Sequence, residues 1–200
     1  MSISGLNRRR IMRPMKRDRT RTPWIPICVP VGVLATVTMD VAMVAAARCG
    51  GDAFTSDRIG PEMIGRWAAG MLRGRWHHRD ITTEPAQPGE LALGMLTHYA
   101  TGIALTQAFL MLPRPGNGRP GFLGATAFGI STAALPLLVM YPSMGYGWFG
   151  RRSGEAGRIG RIMLVGHAAF GIGIGLWAPR FTGRASVGAS RGAAVSTARG

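Results

Sequence analysis

The chain has little lysine, little acid and little cysteine. Lys16 is the only lysine among 24 basic residues, and only 9 residues are acidic, so the formal charge is +15 over 200 residues. The two cysteines, Cys28 and Cys49, form no CxxC motif, which gives no support to a zinc ribbon or a thioredoxin-type site. If the chain between them is helical, they lie ~30 Å apart and cannot form a disulfide.

Charge is also nearly absent from four long apolar runs, at 25–47, 91–112, 121–142 and 162–178. Each run is close to the ~20 residues that span a bilayer core of ~30 Å. None shows the polar stripe at a period of ~3.6 residues that a helix of a soluble bundle normally carries. We therefore predict an all-α protein, an integral membrane four-helix bundle that occupies residues 25–179.

The residues outside the runs are polar and basic. We predict a basic cytoplasmic tail over 1–24 and a disordered basic tail over 180–200. The crowding of arginines before the first run is typical of a topology determinant, so nucleic acid is not an expected partner; the lipid bilayer is. We predict a retained first span over a cleaved signal peptide, because the run is too long for the apolar core of a signal peptide and contains Asp40.

Four spans place both tails on one side of the membrane. That side, with the linker 113–120, carries 14 basic residues, and the opposite side carries 10. Because basic residues favour the cytoplasmic side, we predict a multi-pass protein of the bacterial inner membrane with both termini in the cytoplasm.

The outer linker, 48–89, contains the segment GPEMIGRWAAGMLRGRW. Pro61 and Glu62 suit the first turn of a helix. One face of that helix would be apolar, and it would carry Met63, Ile64, Trp67, Ala68, Met71 and Leu72. We predict an amphipathic helix lying at the membrane interface, with Trp67 and Trp76 as interface anchors.

No motif predicts a catalytic residue, and the sequence favours a protein that is not an enzyme. The segment GYGWFG, at 145–150, has dinucleotide-binding spacing but follows an apolar run instead of a β-strand, so we interpret it as an outer loop. No serine lies in a strand-turn-helix context with His and Asp partners. The pair His77 and His78 on the linker is predicted to be exposed, and Pro136 is predicted to kink the third run.

Three ionisable residues lie at a common depth in the predicted spans. Asp40, His98 and His167 each sit five to seven residues from the outer end of a run, which places them roughly 8–11 Å below the same face. Met140 and Tyr141 approach that face from the third run, at a shallower depth. Because an ionisable group in a span needs a partner inside the protein, we predict an intramembrane polar cluster of Asp40, His98 and His167.

Rows of small residues support that clustering. Glycine or threonine precedes or follows each of the three residues at a spacing of four, in the rows 32–36–40, 94–98–102 and 167–171–175. Such rows mark faces where helices approach closely in lipid. They predict that the ionisable residues face other helices, and they also favour a homo-oligomer.

Three interpretations of the cluster stay open. The first is a hydrogen-bonded clamp that holds the bundle together. The second is a metal or haem site of a redox component, with His98 and His167 as ligands and Asp40 as ligand or support. The third is a proton relay in a small oligomeric transporter.

Five segments, read in order, resemble one family. They are ATVTMDV (35–41), IGRWAAGMLRGRWHHRDI (64–81), GELALGMLTHYATGIAL (89–105), LPLLVMYPSMGYG (135–147) and VGHAAFGIGIGLW (165–177). The chain is similar over 33–178 to a bacterial family of small four-span membrane proteins catalogued as domain of unknown function 2938. The resemblance implies an integral membrane protein and no particular activity.

The resemblance also implies which polar residues matter. The family pattern has an aspartate, two histidines and a glutamate where this chain has Asp40, His98, His167 and Glu90. A glutamine commonly precedes the proline of the third span, and Tyr141 stands at that place here, which puts in doubt any role of that glutamine.

Overall fold

The protein is all-α, as predicted, in a computed structural model that describes residues 25–58, 60–112 and 121–197. Its helices are α1 (Ile25–Gly50), α2 (Pro61–Leu72), α3 (Glu90–Met111), α4 (Phe122–Thr132), α5 (Tyr141–Ser143) and α6 (Ala156–Thr197). Single turns of 3₁₀-helix lie at Gly51–Phe54, Ile81–Thr83 and Trp148–Gly150, and a π-helical turn lies at Pro136–Met140. The predicted tail 1–24 and the linker 113–120 lie outside the described residues.

Among the described residues, three helical segments are long and apolar enough to cross a membrane: Ile27–Phe54, Phe122–Ser143 and Ala156–Phe181. They correspond to the first, third and fourth predicted runs. Helix α3 has 22 residues, which is sufficient length, but it is not among the three by composition. His98, Tyr99, Gln107 and three threonines along α3 lower its hydropathy.

Helix α6 is the centre of the bundle because it packs against both α1 and α4. Helix α1 packs in turn against α3, and α3 packs against α2. Helices α3 and α4 barely touch. The bundle is therefore open on one side, between α3 and α4.

Glycines set the close approach of neighbouring helices. A Cβ added at Gly129 of α4 would lie 2.5 Å from the Cα of Gly171 on α6, and one added at Gly173 would lie 2.7 Å from the Cα of Ala35 on α1. Helices α2 and α3 cross at Gly65 and Gly94, where an added Cβ would overlap the facing backbone. Backbone approach of this kind is how helices gain dispersion contacts in lipid.

Both ends of the fourth long helix differ from the sequence prediction by several residues. Helix α6 begins at Ala156, before the predicted start at 162, and it continues past Pro179 to Thr197. The region predicted as a disordered tail, 180–200, is thus helical as far as Thr197, and its alanines and arginines are good helix formers. The third run is interrupted at Pro136, as predicted, and the chain there takes a π-helical turn because proline donates no backbone hydrogen bond.

The predicted amphipathic helix forms as α2, but its apolar face contacts the protein. Met63 and Trp67 pack against the buried cluster around Tyr141, and the indole N–H of Trp67 donates to Oγ of Ser143 at 2.7 Å. Trp76 stays 63% exposed. Of the two predicted interface anchors, only Trp76 is free of such a bond within the described residues.

Candidate functional site

A cavity of about 790 Å³ lies inside the bundle, and we call it the central cavity. Residues of α1, α3, α6 and the segment 135–141 line it, together with α2, Phe54 and Ser56. Most of its surface is apolar. Because α3 and α4 barely touch, the cavity is open between α3 and the segment 135–141, where the lining residues Met95, Leu135 and Val139 are exposed.

All three residues of the predicted polar cluster line the central cavity. Asp40 on α1 faces His98 on α3, and Nε2 of His98 donates to Oδ1 of Asp40 at 3.0 Å. The phenol of Tyr99 donates to Oδ2 of the same carboxylate at 2.8 Å. Asp40 is therefore held by two donors from one neighbouring helix, and this arrangement ties α1 to α3.

The local sequence brings these groups together. Gly32 lies against Ile103, and Gly102 lies against Thr36, so that α1 and α3 run antiparallel with Asp40 opposite His98. Gly32, Thr36 and Gly102 of the predicted rows lie at this contact, whereas Gly94 lies against α2. Tyr99 was not among the predicted site residues. It follows His98 on the same turn of α3, and this adjacency is the only feature of the sequence that could have indicated its contact with Asp40.

His167 lies on α6 and is not part of the pair. Its Nδ1 donates to the backbone carbonyl of Met163 at 2.9 Å, within α6. The residue is 9% exposed. Among the described residues its Nε2 has no hydrogen-bond partner and its ring has no ion pair. The row Gly171–Gly175 below it faces α4 and not α1 or α3.

The two residues from the third run also line the cavity, Met140 from the π-helical turn and Tyr141 from α5. Tyr141 is fully buried, and its hydroxyl donates to Sδ of Met163 at 3.4 Å. The polar atom of Tyr141 is thus turned to α6. π-Helical turns inside α-helices occur frequently at functional sites.

Glu90 is not in the central cavity and belongs to a second polar centre. Arg66 of α2 donates to both carboxylate oxygens of Glu90, at 2.9 and 2.8 Å, and to the backbone carbonyls of Ile81 and Glu84 at 3.0 and 2.8 Å. The bidentate contact with the Arg66 guanidinium holds the pKa of the Glu90 carboxyl below its usual value. Arg66 is 6% exposed, although it is one of the 10 basic residues predicted to lie on the outer side.

His78 was predicted to be exposed, and the structure contradicts this. It is 6% exposed, and its Nδ1 lies 2.6 Å from Oε1 of Glu84. A Cβ at Gly70 would lie 2.8 Å from its Nε2, so no space for a ligand remains there. The backbone amides of His78 and Ile81 donate to carbonyls of Ser143 and Met144, which fixes this part of the linker against the loop that follows α5.

The donor set does not fit a closed metal site. Among the described residues, no three side chains of His, Cys, Asp and Glu come together as a group that could hold a metal ion. The Asp40 carboxylate is already engaged by His98 and Tyr99. One free ring nitrogen on each of His98 and His167 remains, which is fewer ligands than structural or catalytic sites use.

The comparisons with known proteins are consistent with the resemblance seen in the sequence. No curated protein and no solved structure matches the chain. A family profile does match, over residues 29–180, slightly more of the chain than the segments 33–178 that carry the resemblance. The match covers the helices that build the central cavity, and the chain therefore belongs to the family described as Protein of unknown function (DUF2938).

Proposed function

We propose that this protein is a four-span inner-membrane protein that binds a small lipid-soluble molecule in the central cavity, without catalysing a reaction on it. The observation that carries the proposal is the cavity of about 790 Å³, which combines apolar walls with Asp40, His98 and His167. Ligand sites have this general character, a mostly apolar concave surface with a few polar groups that orient the ligand.

The fourth span in this proposal is α3. Its 22 residues correspond to ~33 Å of helix, enough to cross a bilayer core. It lies along α1, a candidate span, through the contacts of Gly32 with Ile103, of Thr36 with Gly102 and of Asp40 with His98. His98 and Tyr99 bond to Asp40 of α1, and Thr97 and Thr101 line the cavity, which explains how a helix of lower hydropathy is accommodated.

The orientation follows from the distribution of arginine. With four spans, the side that carries both tails has the larger number of basic residues, so both termini are assigned to the cytoplasm. The segment that contains α2 and the loop after α5 then lies on the outer side, and the polar groups of the cavity lie nearer to that side.

The three polar residues have two different roles in this proposal. Asp40 with His98 and Tyr99 is a clamp between α1 and α3, and its charge is satisfied inside the protein. His167 is not needed for that clamp. It presents a ring nitrogen at the cavity wall, where the polar part of a ligand would bind.

The proposal is tested by filling the cavity. Met95 lines the cavity, and the next residue, Leu96, is 66% exposed and does not line it. Met95→Trp and the control Leu96→Trp would be extracted with their lipids in polymer-bounded discs, and bound small molecules would be identified by native mass spectrometry.

We expect a molecule to accompany the wild type and the Leu96→Trp variant in near-stoichiometric amount and to be absent from Met95→Trp. A wild-type protein that retains only bulk lipids, in the same proportions as Met95→Trp, would contradict the proposal.

Proton-coupled transport is a second candidate, because the Asp40–His98 pair is an acid and a base in direct contact on the wall of a cavity. Reconstituted vesicles with a pH-sensitive dye would test it. Transport requires proton flux that is lost in Asp40→Asn and retained in the control Leu96→Trp.

A further inference from the structure

The hydrogen-bonding state of the two cavity histidines restricts what can bind beside them. A backbone carbonyl only accepts, so Nδ1 of His167 must carry the proton of its bond to Met163. In the neutral ring Nε2 is then an acceptor. A doubly protonated ring is disfavoured here, because His167 is 9% exposed and has no ion pair among the described residues.

The neutral ring of His98 has the same arrangement, with one donor nitrogen and one acceptor nitrogen. Its Nε2 donates to the carboxylate of Asp40, which can only accept. In the neutral ring Nδ1 is the remaining acceptor, and it has no partner among the described residues. His167 therefore offers a lone pair to the central cavity, His98 does so in its neutral form, and the carboxylate that could have attracted a cation is already paired.

A ligand that satisfies these lone pairs must donate a hydrogen bond to them. An uncharged hydroxyl does so without bringing an unpaired charge into an apolar cavity, where such a charge would be costly. A carbonyl or an ether oxygen cannot, because it only accepts and would face a nitrogen lone pair.

The open side of the cavity indicates where the ligand comes from. The residues at the edge of the opening are apolar and exposed, with Leu135 at 46% and Val139 at 58% on one wall and Met95 at 39% on the other. In the proposed orientation these edges face lipid chains, so a molecule dissolved in the bilayer reaches the cavity sideways.

We propose that the central cavity takes an uncharged membrane lipid whose head group donates a hydrogen bond through a hydroxyl to His167, while its chain lies between α3 and α4. This inference rests on the function proposed above and adds the chemical class of the ligand. A long-chain isoprenoid alcohol and a quinol both present this chemistry.

Two matched pairs of probes test the donor. Farnesol is compared with farnesyl methyl ether, and decylubiquinol is compared with decylubiquinone; in each pair only the first member has a hydroxyl that can donate to His167. Wild-type protein in lipid nanodiscs would be equilibrated with radiolabelled farnesol or labelled decylubiquinol, and the unlabelled members of each pair would compete for it.

We expect the hydroxyl member of at least one pair to compete about tenfold or more better than its partner, since an unmatched polar atom in a buried site costs ~1–3 kcal/mol and ~1.4 kcal/mol is a factor of ten. The alcohol pair and the quinol pair distinguish the two sources of the hydroxyl. His167→Leu should bind both members of the discriminating pair equally.

The results separate this inference from the function on which it rests. If both members of each pair compete equally for the wild type, or if no probe binds although a native molecule is found in the cavity, the hydroxyl inference is wrong and the cavity proposal stands. If neither probe nor native molecule binds, both are wrong. Closure of the open side by a second copy of the chain, detected as a crosslink between Val139→Cys residues that excludes every probe, would also overturn it.

Discussion

The buried ion pair of Arg66 and Glu90 gives the sharpest prediction about stability. Replacing Arg66 by Met keeps much of the side-chain volume and removes four hydrogen bonds, two of them to the Glu90 carboxylate. The Glu90 side chain is 11% exposed and would be left without a cation. Breaking one partner of a buried pair costs ~3–5 kcal/mol, so we expect a loss of this size at neutral pH.

Hydrogen exchange in detergent micelles would measure the effect locally. The amides of His78 and Ile81 bond to the loop after α5, and Arg66 holds the carbonyl of Ile81. At ~1.4 kcal/mol per factor of ten, their exchange should accelerate roughly 10²- to 10⁴-fold in Arg66→Met. The control is Arg73→Met, an exposed arginine bonded to Gln87, for which we expect a change below ~0.5 kcal/mol.

The pH dependence provides a second check on the same variant. In the wild type the pKa of Glu90 lies below its ordinary value of 4.5 because Arg66 bonds to it, so the pair stabilises the protein above pH 4.5 and this contribution is lost as pH falls through the lowered pKa. In Arg66→Met, burial favours the neutral carboxyl, and protonation removes the unpaired charge. The difference between variant and wild type should therefore shrink on acidification. An Arg66→Met protein that exchanges like Arg73→Met at neutral pH, or a difference that grows in acid, would refute the reasoning.

Two further predictions concern packing and topology. Gly129→Leu should lower the thermal unfolding temperature in detergent by more than Gly124→Leu, because a Cβ at Gly129 meets the α6 backbone at 2.5 Å whereas Gly124 faces open space; equal temperatures would contradict the packing of α4 on α6. A membrane-impermeant maleimide applied to spheroplasts should label Cys49, which is exposed at the end of α1, and should leave the buried Cys28 unmodified; labelling of Cys49 only after the membrane is opened would reverse the proposed orientation.

The positions of the apolar helices could be predicted from the sequence because hydrophobic length is a local property. Runs with almost no charge predict helices within a few residues of α1 and α3. The rows of small residues spaced by four predicted that Asp40 and His98 face other helices, since such rows mark faces where helices approach closely, but they left His98 and His167 as equal candidates for the partner of Asp40. The proline at 136 indicated where the third run bends.

The second polar centre could not be predicted in the same way. Arg66 lies in an amphipathic segment between apolar residues, and nothing local distinguishes it from the exposed Arg73. Its burial depends on the crossing of α2 over α3 at Gly65 and Gly94, a contact between segments far apart in the sequence. Glu90 was singled out only through the resemblance to the family. His78 is buried for a related reason, because Glu84 and the loop after α5 close over it.

Of the polar residues discussed, His167 contributes least to holding the helices together, so it can vary with the ligand at the least cost in stability. Replacement of Asp40 would leave His98 and Tyr99 without their hydrogen-bond acceptor. Replacement of Arg66 would leave the largely buried carboxylate of Glu90 without a cation. His167 bonds only to a backbone carbonyl of its own helix, and loss of this side-chain bond leaves the contacts between helices unchanged. We therefore expect the free energy of unfolding of His167→Gln to lie within ~1 kcal/mol of the wild-type value. We expect a larger loss of stability for Asp40→Ala, since it leaves two hydrogen-bond donors unmatched. Thermal unfolding in one detergent would compare them, and a His167 variant less stable than the Asp40 variant would mean that His167, and not the Asp40 clamp, holds the bundle together.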